Sequence, residues 1–187
     1  DDIIGSLNRY DYKPSEFKQV TALGVLAGKI SADSAKENLM KGGANGMTSF
    51  MSFAIIEALR MVGEGEFALS VIKEYFGSMM NLGATTFWED FDMEWLKDNP
   101  TDLEAMPDNA RKNIHADYGK FCYLGLRHSL CHGWSCGFVD FLYKYILGIV
   151  PVKEGYAEIT VDPHMCGMSF VEGKIPTKYG VITVKHK

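Results

Sequence analysis

Apolar residues recur at steps of three and four over the middle of the chain. Met47, Phe50, Met51, Ala54, Ile55, Ala58, Leu59 and Val62 form one such stripe and predict a helix over 47–62. Phe53, Ile56 and Met61 widen it, so this helix is expected to be buried on most sides. Gly63-Glu64-Gly65 reads as a turn. Phe67, Ala68, Val71, Ile72, Tyr75, Phe76, Met79 and Met80 then make a second stripe that ends near Gly83. Two such helices joined by a short Gly turn are a helical hairpin, and their methionines read as core rather than as a cofactor site. Upstream, Pro14-Ser15-Glu16 opens a helix that runs to Gly28. Ser31 caps a more polar helix that reaches Lys41 and stops at Gly42-Gly43. Residues 1–13 show no period and read as a loop carrying Tyr10 and Tyr12.

The pattern then changes twice. Residues 93–117 are acidic and irregular, with Pro100 and Pro107, and are long for a connection. Residues 118–130 are mixed. Residues 132–150 are almost continuously apolar, but Asp140 and Lys144 lie inside the run and Gly133, Gly137 and Gly148 weaken it. That composition predicts a buried helix stopped by Gly148 and Pro151, not a membrane span. From Val152 the period drops to two. Ala157, Ile159 and Val161 alternate with polar neighbours, and 169–175 and 180–185 give two more strands around a turn at 176–179. The expected fold is mainly α: helical hairpins over 1–150, followed by a small antiparallel sheet over 151–187.

An apolar content of 47% with 23% charged residues supports a packed core and excludes extensive disorder. A net charge of −5, with no basic run among the Lys and Arg, argues against nucleic acid or an anionic membrane as partner. The chain opens Asp-Asp-Ile-Ile, which predicts a processed or excised piece of something longer. Cys131 and Cys136 flank His132 too loosely for a zinc site, and no second ligand pair stands nearby. No metal or cofactor is expected, and the four cysteines read as buried free thiols.

The candidate chemistry is concentrated in Gly83-Ala84-Thr85-Thr86-Phe87-Trp88-Glu89-Asp90-Phe91-Asp92. This stretch interleaves Trp88 and Phe91 with Glu89, Asp90 and Asp92. Two readings stand from residue types alone. In one, a helix-capping loop turns its rings into the core and its acids to water. In the other, rings stack on the apolar faces of a pyranose while carboxylates bind hydroxyls or move protons.

A resemblance adds to the second reading. GATTFWEDFD resembles the Gly-Ala-Thr-Thr-(apolar)-Trp-Glu motif of the α-L-rhamnosidases, six-hairpin glycosidases of glycoside hydrolase family 78. Arg127-His128-Ser129-Leu130-Cys131-His132-Gly133-Trp134 is similar to that family's Ser-Leu-Asn-His-(aromatic) segment. Leu147-Gly148-Ile149, Glu158-Ile159-Thr160-Val161-Asp162-Pro163 and Tyr179-Gly180-Val181-Ile182-Thr183-Val184 follow in the family's order. The resemblance is strongest over 83–187. It implies the C-terminal part of an (α/α)6 toroid over 1–150 and the start of a C-terminal β-sandwich over 151–187. It implies a parent enzyme that hydrolyses terminal α-L-rhamnose from glycosides or polysaccharides with inversion. Glu89 takes the position of the general base, and Trp88, His132, Trp134 and Asp92 are the substrate-binding candidates. The general acid of this family lies earlier in the toroid and has no counterpart here, so the 187 residues alone are expected to be inactive and, with helix faces uncovered, prone to self-association. Asp90 stands where many relatives carry Arg, which places an extra charge beside the base. The same fold also accommodates a non-catalytic sugar-binding or structural helical module. A compartment is not legible in the residues; only the resemblance implies a periplasmic or secreted parent.

Overall fold

The computed structural model describes residues 9–98 and 128–187. The expectations for 1–8 and for 99–127, Cys122 included, lie outside those residues. Helices come first: α1 (Lys18–Leu26), α2 (Ala32–Met40), α3 (Ser52–Met61), α4 (Gly65–Asn81) and a single turn, α5 (Trp95–Asp98). Ser31 caps α2 as its residue type predicts, its hydroxyl accepting from the Ser34 amide. α1 packs on α3 and α3 on α4, which closes the predicted hairpin. Val25, Leu39, Ile55, Leu59, Val71, Ile72 and Tyr75 fill the space between these helices.

Helix α3 departs from the expected stripe in two ways. It starts at Ser52, because residues 47–51 form turns instead of the first helical turn. It is also buried on one side only: Phe50, Phe53 and Met61 are 46%, 43% and 47% exposed. A wide apolar stripe does not state which of its edges will be covered, and here the Phe50–Phe53 edge is covered in part only, by the Trp134 ring against Phe50 and by Gly137 against Phe53.

The apolar run after His132 is not one helix. It forms a 3₁₀ turn (Gly133–Cys136), one α turn, α6 (Phe138–Phe141), and a π turn (Leu142–Ile146). Strand β1 (Ile149–Lys153) starts where the helix was expected to continue. The reason is local. Gly148 adopts φ +70, which ends the helix, and Ile149, Val150 and Val152 are β-branched residues suited to an extended chain. β1 pairs antiparallel with β2 (Glu158–Val161), from Ile149 opposite Val161 to Lys153 opposite Glu158, with an irregularity after Pro151. β3 (Val171–Thr177) pairs with β4 (Gly180–His186) through a tight turn at Lys178-Tyr179. The expected single sheet is therefore two separate two-stranded ribbons. Two strands are marginal alone. Each ribbon leans on the helical part through Ile149, Val171, Ile175 and Val184, which join the same core.

The described cysteines, Cys131, Cys136 and Cys166, are free thiols, but Cys131 is exposed and the other two are half-buried. The expectation of burial fails because Cys131 and Cys136 lie in the bend and 3₁₀ turn on either side of His132, and Cys166 lies in a turn between β2 and β3, none of them inside a packed helix. Among the described residues, no helix is long and apolar enough to cross a membrane, and no group of His, Cys, Asp and Glu could hold a metal ion.

Candidate active site

The 83–92 stretch has no regular structure of its own and is held by hydrogen bonds from two directions. From the 128–135 side, the Glu89 amide donates to the Ser129 carbonyl (2.8 Å) and the His132 amide to the Phe87 carbonyl (2.7 Å). Ser135 Oγ donates to the Trp88 carbonyl (2.6 Å), and Thr86 Oγ1 donates to the Leu130 carbonyl. From the turn before α3, Ser49 Oγ donates to the Glu89 carbonyl (2.5 Å). The Trp134 indole N–H donates to that same carbonyl at 2.9 Å. An exposed strand-like segment would lose these groups to water. Here each is paired, so the main chain around Glu89 is fixed.

The Glu89 side chain is 9% exposed. Its Oε2 accepts from the Ser129 amide at 3.0 Å, and its Oε1 faces His132 Nδ1 at 4.0 Å. That distance is longer than a direct hydrogen bond and leaves space for a bridging water. His132 in turn lies against Trp134, with ring centroids 4.1 Å apart, and Trp134 against Phe50, at 4.8 Å. Trp134 is 41% exposed. The carboxylate therefore opens onto a partly exposed wall of three rings.

Asp90, the neighbour of Glu89, is buried at 8% exposure. Its Oδ1 accepts from the Phe91 amide (2.9 Å), and its own amide donates to His128 Nε2 (3.1 Å). Accepting there assigns the proton of a neutral His128 to Nδ1. Burial raises the Asp90 carboxyl to about 6; hydrogen bonds from the Phe91 and Ser49 backbones oppose that rise, and the Asp92 and Glu89 charges add to it. Tyr75, whose hydroxyl donates to the Phe91 carbonyl at 2.5 Å, is also raised well above the usual phenol range, first by burial and then by the Asp90 charge.

The sequence candidates thus separate. Glu89, His132 and Trp134 come together across more than forty residues of chain. Trp88 goes inside, at 1% exposure, with its edge on Phe91 (6.1 Å) and on His128 (6.5 Å). With Tyr75 and Trp95 these rings form a buried aromatic cluster, so in this conformation the Trp88 faces are used by protein. Asp92 is half-buried, and its Oδ1 accepts from the Glu94 amide (2.9 Å), closing the turn into α5. Three contributors escaped the sequence reading. Phe50 was assigned to the core by its place in the stripe, and Ser49 and Ser135 carry no pattern that distinguishes them from ordinary turn residues.

No protein-family profile matches this sequence, and no curated protein does. Among solved structures, the fold is similar to that of a GH78 family rhamnosidase of Bacillus sp. GL1, with a TM-score of 0.65 and 24% sequence identity. The match covers 90% of this chain and 16% of that one, so the chain spans about a sixth of its structural neighbour's length. The likeness establishes the arrangement of helices followed by a small β segment as one found in a glycoside hydrolase.

Proposed function

We propose that these residues belong to a glycoside hydrolase that removes terminal α-L-rhamnose with inversion, and that Glu89 is its general base. The observation that carries the reading is the setting of Glu89. One carboxylate oxygen is anchored on a backbone amide, and the other faces His132 across the width of a water, beside exposed rings. A base needs an oriented lone pair next to a water, and a sugar needs apolar faces to stack on. The order of the family-like segments and the likeness to a GH78 family rhamnosidase support the same reading.

In the proposed reaction, Glu89 Oε1 takes a proton from a water held between it and His132. That water attacks the anomeric carbon while a second carboxyl, on a part of the enzyme outside these residues, protonates the departing oxygen. Inversion requires the two carboxyls about 6.5–9.5 Å apart, so that the water fits between base and sugar. Trp134 and His132 line the sugar's approach. By its position Asp90, ionised above pH about 6, raises the negative potential at Glu89 and favours a proton moving onto it.

The test is turnover of an aryl α-L-rhamnoside by the intact protein, with and without Glu89→Gln. A loss of about three orders of magnitude with the fold retained is expected, since general-base steps contribute about 10²–10⁴-fold. Equal turnover in both proteins would remove Glu89 from the mechanism. Rhamnoside binding without hydrolysis by the wild type would leave a sugar-binding module of the same fold.

A further inference from the structure

The Glu89 carbonyl and the Asp90 amide belong to one planar peptide group, and that group is gripped on both sides. Ser49 Oγ and the Trp134 indole N–H donate to its oxygen at 2.5 and 2.9 Å. Its N–H donates to His128 Nε2 at 3.1 Å. Next to this bond, the Glu89 amide donates to the Ser129 carbonyl at 2.8 Å, and the Ser129 amide to Glu89 Oε2 at 3.0 Å. Further along the same seam the acceptors are the Phe87 and Leu130 carbonyls. Main-chain carbonyls go on accepting at any physiological pH. A histidine nitrogen stops accepting once it takes a proton.

The His128 ring is confined. It is 5% exposed, and it meets Trp88 and Trp95 edge-on, with centroids 6.5 and 5.7 Å away. Turning the ring away from Asp90 therefore means opening the aromatic cluster. A backbone N–H can only donate, so Nε2 carries the lone pair in this arrangement. A proton on Nε2 would set two N–H groups against each other and a charge among buried rings. The ionisable groups of the segment packed on the ring are Glu89, Asp90 and Asp92, and Tyr75 of α4 reaches that segment at the Phe91 carbonyl. On the ring's own side, His132 stands at Glu89 Oε1. From α5 the ring meets Trp95, while Glu94 and Lys97 of that turn pair with each other at 2.7 and 2.6 Å. The carboxylates draw positive charge towards the ring but leave the Asp90 N–H in front of Nε2.

We propose that His128 is a positioning residue for Glu89: its neutral ring holds the shared peptide group, and with it the Glu89 carboxylate, until a proton on Nε2 releases them. The catalytic consequence rests on the general-base reading of Glu89, whereas the release of the segment does not. Acid would then switch the site off by loosening its backbone, in addition to any protonation of the base itself.

The experiment compares the intact wild type with His128→Gln and His128→Phe in two readouts. Glutamine offers a carbonyl oxygen near the reach of Nε2 and cannot take a proton there, and phenylalanine keeps a ring without an acceptor. The first readout is hydrogen–deuterium exchange of peptides spanning 86–92, with α4 peptides as the reference. The second is kcat and KM on an aryl α-L-rhamnoside. At pH 7, His128→Phe should lose protection of 86–92 and about tenfold in kcat with KM held, and His128→Gln should recover most of both. From pH 7 to pH 5, where histidine gains its charge, the ratio of His128→Gln to wild type should rise about tenfold in both readouts. Titration of Glu89 and Asp90 is common to the two proteins and cancels in that ratio. A flat ratio, or a His128→Gln no better than His128→Phe, would overturn the proposal. Should His128→Gln not fold, wild-type exchange decides: equal protection of 86–92 at both pH values overturns the proposal, and selective loss there at pH 5 upholds it. A wild type without turnover sinks the general-base reading alone, and the exchange ratio still decides the role of His128.

Discussion

The indole of Trp134 and the hydroxyl of Ser49 donate to one atom, the main-chain carbonyl of Glu89, from opposite directions in sequence. Trp134 belongs to the 3₁₀ turn ahead of α6, and Ser49 to the turn ahead of α3. The carboxylate that carries the proposed chemistry is thus placed through its backbone, by two turns that also meet through the Phe50 and Trp134 rings.

Removing either donor leaves the other. Trp134→Phe keeps the ring against Phe50 and His132 and should cost only about 0.5–1.5 kcal/mol of stability in denaturant unfolding. Ser49→Ala, at a fully buried site, should cost about 1–3 kcal/mol. If the carbonyl positions Glu89, turnover on an aryl rhamnoside falls tenfold or more in either variant, on the order of what a small misplacement costs. Turnover unchanged in both would mean that the carboxylate keeps its place through Ser129 alone.

Asp90 makes the fold less tolerant of neutral pH. Its carboxyl is raised from about 3.8 in the open chain to about 6 in the fold, so the folded protein holds this proton more tightly than the unfolded one. Stability from this group is complete below the lower value, declines as pH rises from there to about 6, and stays lower above it. The size follows from 1.36 kcal/mol per unit and is on the order of 3 kcal/mol. Asp90→Asn cannot ionise. The stability of this variant minus that of the wild type should therefore grow between pH 4 and pH 7, in urea titrations run at each pH. A flat difference would show that Asp90 titrates normally.

Two glycines with similar backbones should answer differently to alanine. Gly148 has φ +70, and an added Cβ would meet the Asp162 and Pro163 backbone at 2.2–2.4 Å. Gly28 has φ +65 and open space around it. Gly28→Ala should cost about 1–2 kcal/mol, the strain of a left-handed residue. Gly148→Ala adds a backbone collision and should exceed about 4 kcal/mol, releasing the β1–β2 ribbon. Thermal unfolding of the two variants side by side would separate strain from collision; similar losses would refute the close approach at Gly148.

Trp88 tests what the buried aromatic cluster is for. As core, Trp88→Phe should lower stability by a few kcal/mol through the cavity it leaves. Methyl rhamnoside affinity of the folded fraction should then change little. A large loss of affinity with stability retained would return Trp88 to the sugar.

The sequence by itself determined the elements whose signals are local. The paired stripes of α3 and α4, the Ser31 cap, the turn glycines and the alternation in β2, β3 and β4 all state backbone geometry through neighbouring residues. It singled out the 83–92 stretch without choosing between a capping loop and a sugar site, because acids interleaved with rings serve either use. Tertiary structure decided what depends on partners distant in the chain. It broke the apolar run after His132 into turns and a strand, since hydrophobicity without a period does not distinguish a helix from a ribbon packed on helices. It turned Trp88 inward and left Phe50 and Phe53 outside, because an apolar side chain does not record which neighbour will cover it. And it brought His132, Trp134 and Ser49 onto Glu89, a meeting set by how α3 and the 128–135 segment pack, which no spacing along the chain expresses.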